Sequence, residues 1–231
     1  MVEPFHDENY DNRKGFYDGF LGIRLRMPAV LDEIIVSKLD DGSHVIPYEH
    51  FSLVMHRKRR LVLFAATNID GRPSKREPEP GRKYTRKSLA RMGVNDREKW
   101  FTDERIPTKH QLPDKFFTKD HKAFDKGHIV RRDDVTWGDS YAEVERANGD
   151  TFHVTNCSPQ VASFNRSNLR GIWGKLENCC GSKREPTAEF CFYLGARSFR
   201  GRIGVRRRER VEEPDDLHTR FRAHGPIDRV S

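Results

Sequence analysis

The sequence predicts an α+β fold, a central antiparallel sheet flanked by helices. Three observations carry this. Residues 51–56 and 61–68 are apolar runs joined by the charged turn Arg57-Lys58-Arg59-Arg60, which makes them a hairpin. Leu169, Ile172, Trp173 and Leu176 recur at i, i+3, i+4 and i+7, one face of a helix. Residues 189–194 form a further apolar run of strand length.

Taken in order, residues 1–50 are polar and turn-rich, with Phe20-Leu21-Gly22 and Val30-Leu31 as expected core contacts. The second hairpin strand is apolar on both faces, so it should lie centrally and end at Asp70-Gly71. Residues 70–92 hold eight Lys or Arg against three acids, and Pro73, Pro78 and Pro80 argue against regular structure in the first half. This is either a solvated loop or a basic loop beside a nucleic-acid groove. An ordered connector anchored by Trp100 and Phe101 follows. His128 ends a strand. Residues 137–148 read as a helix stopped by Asn148-Gly149, then 151–155 as a strand and 156–160 as a turn. Gly171 and Gly174 weaken the Trp173 helix, and Gly181 ends it.

A chain of 231 residues fits one domain, here 1–200. From residue 195 onward ten arginines face six acids, with no lysine and no apolar periodicity, so 201–231 reads as a poorly ordered, Arg-rich tail. The net charge of +8 favours polyanionic partners, nucleic acid before acidic membrane. Cys157, Cys179, Cys180 and Cys191 lack zinc-ligand spacing and read as reduced thiols. The first residues carry no secretory pattern, and no run reaches the ~20 apolar residues of a membrane helix. The reading is cytosolic, or exported by a route not encoded here, with no membrane partner.

Hydrolysing a phosphodiester needs a proton acceptor for the attacking water, positive charge beside the phosphorus, and help for the leaving oxygen. An imidazole suits the first task, a divalent metal the second and third, and an arginine adds a forked cation. The chain offers His128, Asn165, Glu177 and Arg97. The amide and carboxylate oxygens are hard ligands that suit magnesium. Each residue also has a plain structural use. Asn165 can cap a helix, Glu177 can sit on a solvated helix face, and Arg97 can pair with Asp96 or Asp103.

Four blocks in order change that balance: Phe124-Asp125-Lys126-Gly127-His128, Thr155-Asn156-Cys157-Ser158-Pro159-Gln160, Phe164-Asn165-Arg166 and Trp173-Gly174-Lys175-Leu176-Glu177. Together they resemble the DNA/RNA non-specific endonuclease family over roughly residues 15–195. The resemblance implies a ββα-metal active site. It implies His128 as general base, Asn165 as a direct metal ligand, and Glu177 as holder of the ion or of its water. It implies Arg97 on the phosphate in the transition state, Asp125 as an organiser, and Lys126, Arg131 and Arg166 as substrate contacts. The implied cofactor is Mg²⁺, with Mn²⁺ as the alternative. The implied substrates are DNA and RNA, cut to 5′-phosphate ends.

Three departures shape the expectations. Lys126 stands where the family signature has arginine, keeping the charge and losing the fork. Asn165 precedes Glu177 by twelve residues, which on one continuous helix would separate them by about 120° and about 18 Å. Asn165 should therefore sit on a separate turn, with the Trp173 helix starting near Asn168 or Leu169. Finally, the Arg-rich tail replaces an expected strand, as a shifted reading frame or truncated gene would do. The alternative functions are a weak or inactive nucleic-acid binder on this fold, or a nuclease effector restrained by an inhibitor or immunity protein.

Overall fold

A computed structural model describes residues 1–118 and 123–179, with the backbone of 188–194 and 208–211. Side chains from 176 onward lie outside the description. In chain order the strands and helices are β1 (Ile46–Pro47), β2 (Phe51–His56), β3 (Leu61–Asp70), α1 (Pro73–Arg76), α2 (Arg86–Leu89), β4 (Asp125–His128), α3 (Arg132–Val135) and α4 (Tyr141–Asp150). They continue as β5 (Cys157–Gln160), α5 (Ala162–Asn165), α6 (Ile172–Cys179), β6 (Ala188–Leu194) and β7 (Arg208–Val211).

The fold is α+β. The main sheet has the order β1-β2-β3-β6-β7, antiparallel throughout, and β3 is its central strand as its two-faced apolar pattern requires. Alternation along β2 sends Phe51, Leu53 and Met55 into one core and Val54 into another. The first core joins the sheet to Ile129, Val130, Val135 and Ala147. The second packs Val54 and Phe64 under Val36 and Val30. A third core gathers Trp100, Phe101, Phe117, Phe152 and Cys157 under the connector. Cys157 is buried and free, and burial lifts its thiol well above the ordinary range, so it is an inert packing group.

The hairpin turn is tightly bonded. Arg60 N–H donates to His56 O at 2.8 Å, and His56 Nδ1 accepts from the backbone of Lys58 and Arg59 at 3.3 and 3.4 Å. Arg60 adopts a left-handed φ of 57° to close it.

The N-terminal segment belongs to the body. Arg13 donates to Asp150 through Nε at 2.6 Å and Nη2 at 2.9 Å, and both side chains are fully shielded from solvent. Asp150 also accepts from the Glu49 backbone at 2.7 Å. A Cβ on Gly149 would come within 2.6 Å of Phe5 O and 2.9 Å of His6 Cα. That close approach gives Gly149 its place, and it is not a helix stop: α4 runs on through it to Asp150.

Other expectations are corrected. Pro73 starts α1 at its first position, where its missing N–H costs nothing. Leu31 is 98% exposed and makes no core contact, whereas Phe20 packs on Trp137. Residues 151–155 are a turn running into a 3-10 helix, with one bridge between His153 and Phe101. Residues 156–160 contain strand β5 instead of a turn alone. Within 201–231, Arg208–Val211 is a strand paired with β6, taking the edge position where a strand was expected to be lacking. The rest of that tail, Gly181, and the side chains of Cys179, Cys180 and Cys191 lie outside the described residues. No helix among the described residues is long and apolar enough to cross a membrane.

Candidate active site

β4 and β5 form a separate two-stranded ribbon with the register Asp125↔Gln160, Lys126↔Pro159, Gly127↔Ser158 and His128↔Cys157. A Cβ at Gly127 would meet the end of the Gln160 side chain, which would have to shift to admit it. Asn156 clamps the chain just past His128. Its Oδ1 accepts from Val130 N–H at 2.8 Å, its Nδ2 donates to Val130 O at 2.9 Å, and its carbonyl accepts from Ile129 N–H at 3.0 Å. From α6, Trp173 Nε1 donates to His128 O at 3.1 Å. Two strands and a helix thus fix one histidine, and the motif residues Asn156, Gln160 and Trp173 are its supports.

The His128 ring packs between Trp100, at 4.6 Å between centroids, and Phe152, at 6.2 Å. Its Nε2 is buried and has no hydrogen-bond partner. Nε2 is closed off from solvent, although His128 as a residue is half-buried. Burial first, then the charges of Arg86 and Arg132, hold the imidazole well below its ordinary pKa. The ring is therefore neutral at neutral pH, the form that accepts a proton.

His128 lines a cavity of about 450 Å³ together with Asn165, Trp100, Arg86, Arg131 and Arg132. Asn165 closes α5, and α6 begins at Ile172, so Asn165 does sit on a separate turn. Leu169 belongs to an intervening 3-10 turn and Arg170 takes a left-handed φ of 62°, which places the start of α6 later than Asn168 or Leu169. Asn165 Nδ2 donates to Asp125 Oδ2 at 3.0 Å. A carboxylate needs a donor there, so the orientation of the amide is fixed and its oxygen is left for the cavity. Asp125 is also gripped by Arg166, through Nε at 2.8 Å and Nη2 at 2.5 Å. These bonds, Arg166 first, hold its carboxyl below the ordinary range.

The cations sort unevenly. Lys126 lines the cavity, but its ammonium is committed to Asp114 and, at 3.3 Å, to Glu98 O. Arg131 lines it while bonded to Asp134 at 2.7 Å. Arg166 is exposed, is not among the cavity-lining residues and serves Asp125. Arg97 is exposed and is not among the residues lining the cavity, and its carbonyl accepts from Val2 N–H at 2.8 Å. Sequence reasoning missed Arg86. It lies over Phe152 at 5.1 Å, and Glu98 holds it by two bonds of 2.7 and 2.6 Å. Nothing in the basic stretch 70–92 distinguishes Arg86 from its neighbours until Glu98 selects it. Glu177 lies within α6, and its side chain is outside the description.

The donor set fits a hard divalent cation. The Asn165 amide oxygen is a hard ligand, and no thiol among the described residues lines the cavity. Glu49, His50 and Glu143 form another cluster, with ligand atoms within 4.8 Å of one another, but protein groups already engage it. His50 Nε2 bonds Trp137 O at 2.9 Å and Arg146 bonds Glu49.

A half-buried, neutral histidine thus stands at the end of a ββα unit, beside an amide and a row of arginines. A family model for DNA/RNA non-specific endonucleases matches residues 33–194. The chain belongs to the DNA/RNA non-specific endonuclease family. It is 34% identical over 189 residues to the uncharacterized protein y4fB of Sinorhizobium fredii, covering 75% of this chain and 25% of that one. The chain thus spans about a quarter of that relative's length. It also resembles a chain in the crystal structure of the EndoG/EndoGI complex, at 17% identity, a TM-score of 0.47, and coverage of 65% of this chain and 52% of that one.

Proposed function

We propose that this protein is a magnesium-dependent endonuclease that hydrolyses DNA and RNA without regard to the sugar, with His128 as general base. The observation that carries this reading is the half-buried, neutral His128 in the wall of a cavity shared with Asn165 and Arg86. The His128 imidazole takes the proton from water as the water attacks phosphorus. The His128 carbonyl bond to Trp173 and the Asn156 clamp keep the imidazole aimed during that transfer. Asn165 and Glu177 are the residues proposed to hold the cation, which when bound supplies positive charge against the charge gathering on the phosphate oxygens. Asp125 holds the amide of Asn165 in the ligating orientation. In-line displacement of the 3′-oxygen leaves 5′-phosphate ends. Recognition of the backbone alone accounts for the indifference to sugar.

Arg86 replaces Arg97 as the proposed arginine on the transition-state phosphate. Its grip by Glu98 orders the guanidinium before substrate arrives. Arg86→Ala is expected to lower kcat by ~10²-fold, while Arg97→Ala leaves it near the wild-type value. The reverse ranking would remove Arg86 from the mechanism.

The deciding assay is digestion of plasmid and of RNA with Mg²⁺, with EDTA, and with the His128→Ala variant. Cutting only by the wild type with metal is expected. Intact substrate with wild type and Mg²⁺ would falsify the reading, and so would undiminished cutting by His128→Ala. An inhibitor or immunity protein that covers the cavity is proposed as the restraint on so unselective an activity. The product of a neighbouring gene should then abolish digestion when added in equimolar amount, and digestion that continues would rule that product out.

A further inference from the structure

The charged turn between β2 and β3 plays no part in the cavity. Arg57, Lys58, Arg59 and Arg60 are all exposed, and none of them lines it. Among the described residues none of the four has a carboxylate partner, and neither does exposed Lys109. The cations at and near the cavity differ. Arg86, Arg91, Arg105 and Lys126 are each held by an acid.

We infer that this turn, with Lys109 beside it, is a second nucleic-acid contact surface that grips the phosphate backbone of a substrate outside the cavity. Its partner class rests on the nuclease reading above. Four observations carry it. The free charges come from two elements that meet at one segment, since Ser37 N–H donates to Met55 O at 2.9 Å on the strand leading into the turn and Ser37 Oγ bonds His110, next to Lys109. His110 is itself fixed by Ser37 Oγ at 2.8 Å, so the two elements keep their spacing. The turn is a rigid mount: its backbone is tied to His56 Nδ1, His56 O and, through Arg57 N–H at 2.9 Å, to Ile35 O. The left-handed position at its end holds Arg60, where glycine or asparagine would fit with less strain. A charge kept at a strained position on a rigid tip, with no partner in the protein, is suited to a partner outside it. That partner must be a polyanion long enough to meet several of these cations at once. Duplex nucleic acid carries one negative charge per ~1.7 Å of axis and meets that need.

The test measures binding in EDTA, where no cutting occurs. Wild type is compared with the triple variant Lys58→Glu, Arg59→Glu, Lys109→Glu. The probes are a long duplex DNA, a short oligonucleotide that only fills the cavity, and vesicles of anionic phospholipid. For the long duplex, the variant is expected to bind at least ~10-fold more weakly, with its salt dependence shallower by ~0.9 for each phosphate it no longer neutralises. Affinity for the short oligonucleotide and hydrolysis of bis(p-nitrophenyl) phosphate with Mg²⁺ should stay at wild-type levels. Unchanged duplex affinity and salt slope would overturn the inference, as would a loss confined to the vesicles. If neither protein cuts but duplex binding still falls in the variant, the nuclease reading fails and the surface stands. Should the triple variant fold poorly, Lys58→Ala with Lys109→Ala gives the same readout, smaller and in the same direction.

Discussion

The cavity and the hairpin tip are both rich in cations, and they use them in opposite ways. At the cavity Lys126 is bound to Asp114, Arg86 to Glu98 and Arg131 to Asp134, so each charge has a fixed place and a partner to lose. At the tip Arg57, Lys58, Arg59 and Arg60 have fixed backbones and no carboxylate among the described residues. Pairing orders a side chain at the expense of its net field; leaving it unpaired does the reverse. Chemistry needs the first arrangement and capture of a long anion needs the second.

Variants can break or sharpen this contrast, and the largest effect should come from the cavity. His128→Ala is expected to lower kcat by ~10²–10⁴-fold, the usual contribution of a general base. Plasmid nicking rates read this directly, and a loss of less than about tenfold would count against the assignment.

Acid should act on the interior before it acts on the tip. Burial depresses His50 to about 3 and also lowers His128 and His153. Between the folded values and the unfolded value of ~6.5, the unfolded chain binds the extra protons. Stability is therefore full above that value and is lost as the pH falls through the window beneath it. The expected slope is about 1.4 kcal/mol per pH unit for each histidine inside its window. Denaturant unfolding at a series of pH values measures it, and a flat profile from neutral to mildly acidic pH would sink the claim. The same shift leaves His128 able to accept protons below the ordinary imidazole range, so the acid limb of kcat/KM should lie lower than that range.

Lys126→Ala removes a locked cation. Asp114, which also accepts from Trp100 N–H at 2.8 Å, would be left with an unmatched charge. A loss of about 1–3 kcal/mol in unfolding free energy is expected. The smallest effect belongs to Lys58→Ala, which should stay within about 0.5 kcal/mol of wild type. Equal stability losses at Lys126 and Lys58 would erase the distinction between the two regions.

The sequence made the main sheet legible because its strands announce themselves locally. β2 and β3 are apolar runs flanking a charged turn, and β6 is an apolar run as well. β5 was hidden because its partner lies some thirty residues upstream, and Pro159 reads as a breaker. In a two-stranded ribbon each strand keeps one free edge, where a proline is tolerated. Residues 151–155 misled in the other direction. Phe152, His153 and Thr155 carry strand-like composition because they are buried, yet they make a turn and a single bridge. At the site, His128, Asp125 and Asn165 could be picked out because the blocks that hold them resemble the family's. Arg86 could not, since a carboxylate twelve positions later selects it from a run of similar cations. Arg97 is adjacent to that carboxylate in sequence and still faces solvent.

The Arg13–Asp150 pair has a practical corollary for anyone cutting the gene. The family match begins at residue 33, twenty positions after Arg13. A fragment trimmed to that boundary would strand the Asp150 carboxylate in a sealed interior and strip the cover from Gly149. Losing one member of such a buried pair costs about 3–5 kcal/mol, a large share of the stability of an ordinary domain. The segment that marks kinship is shorter than the segment that folds, and expression boundaries should follow the second.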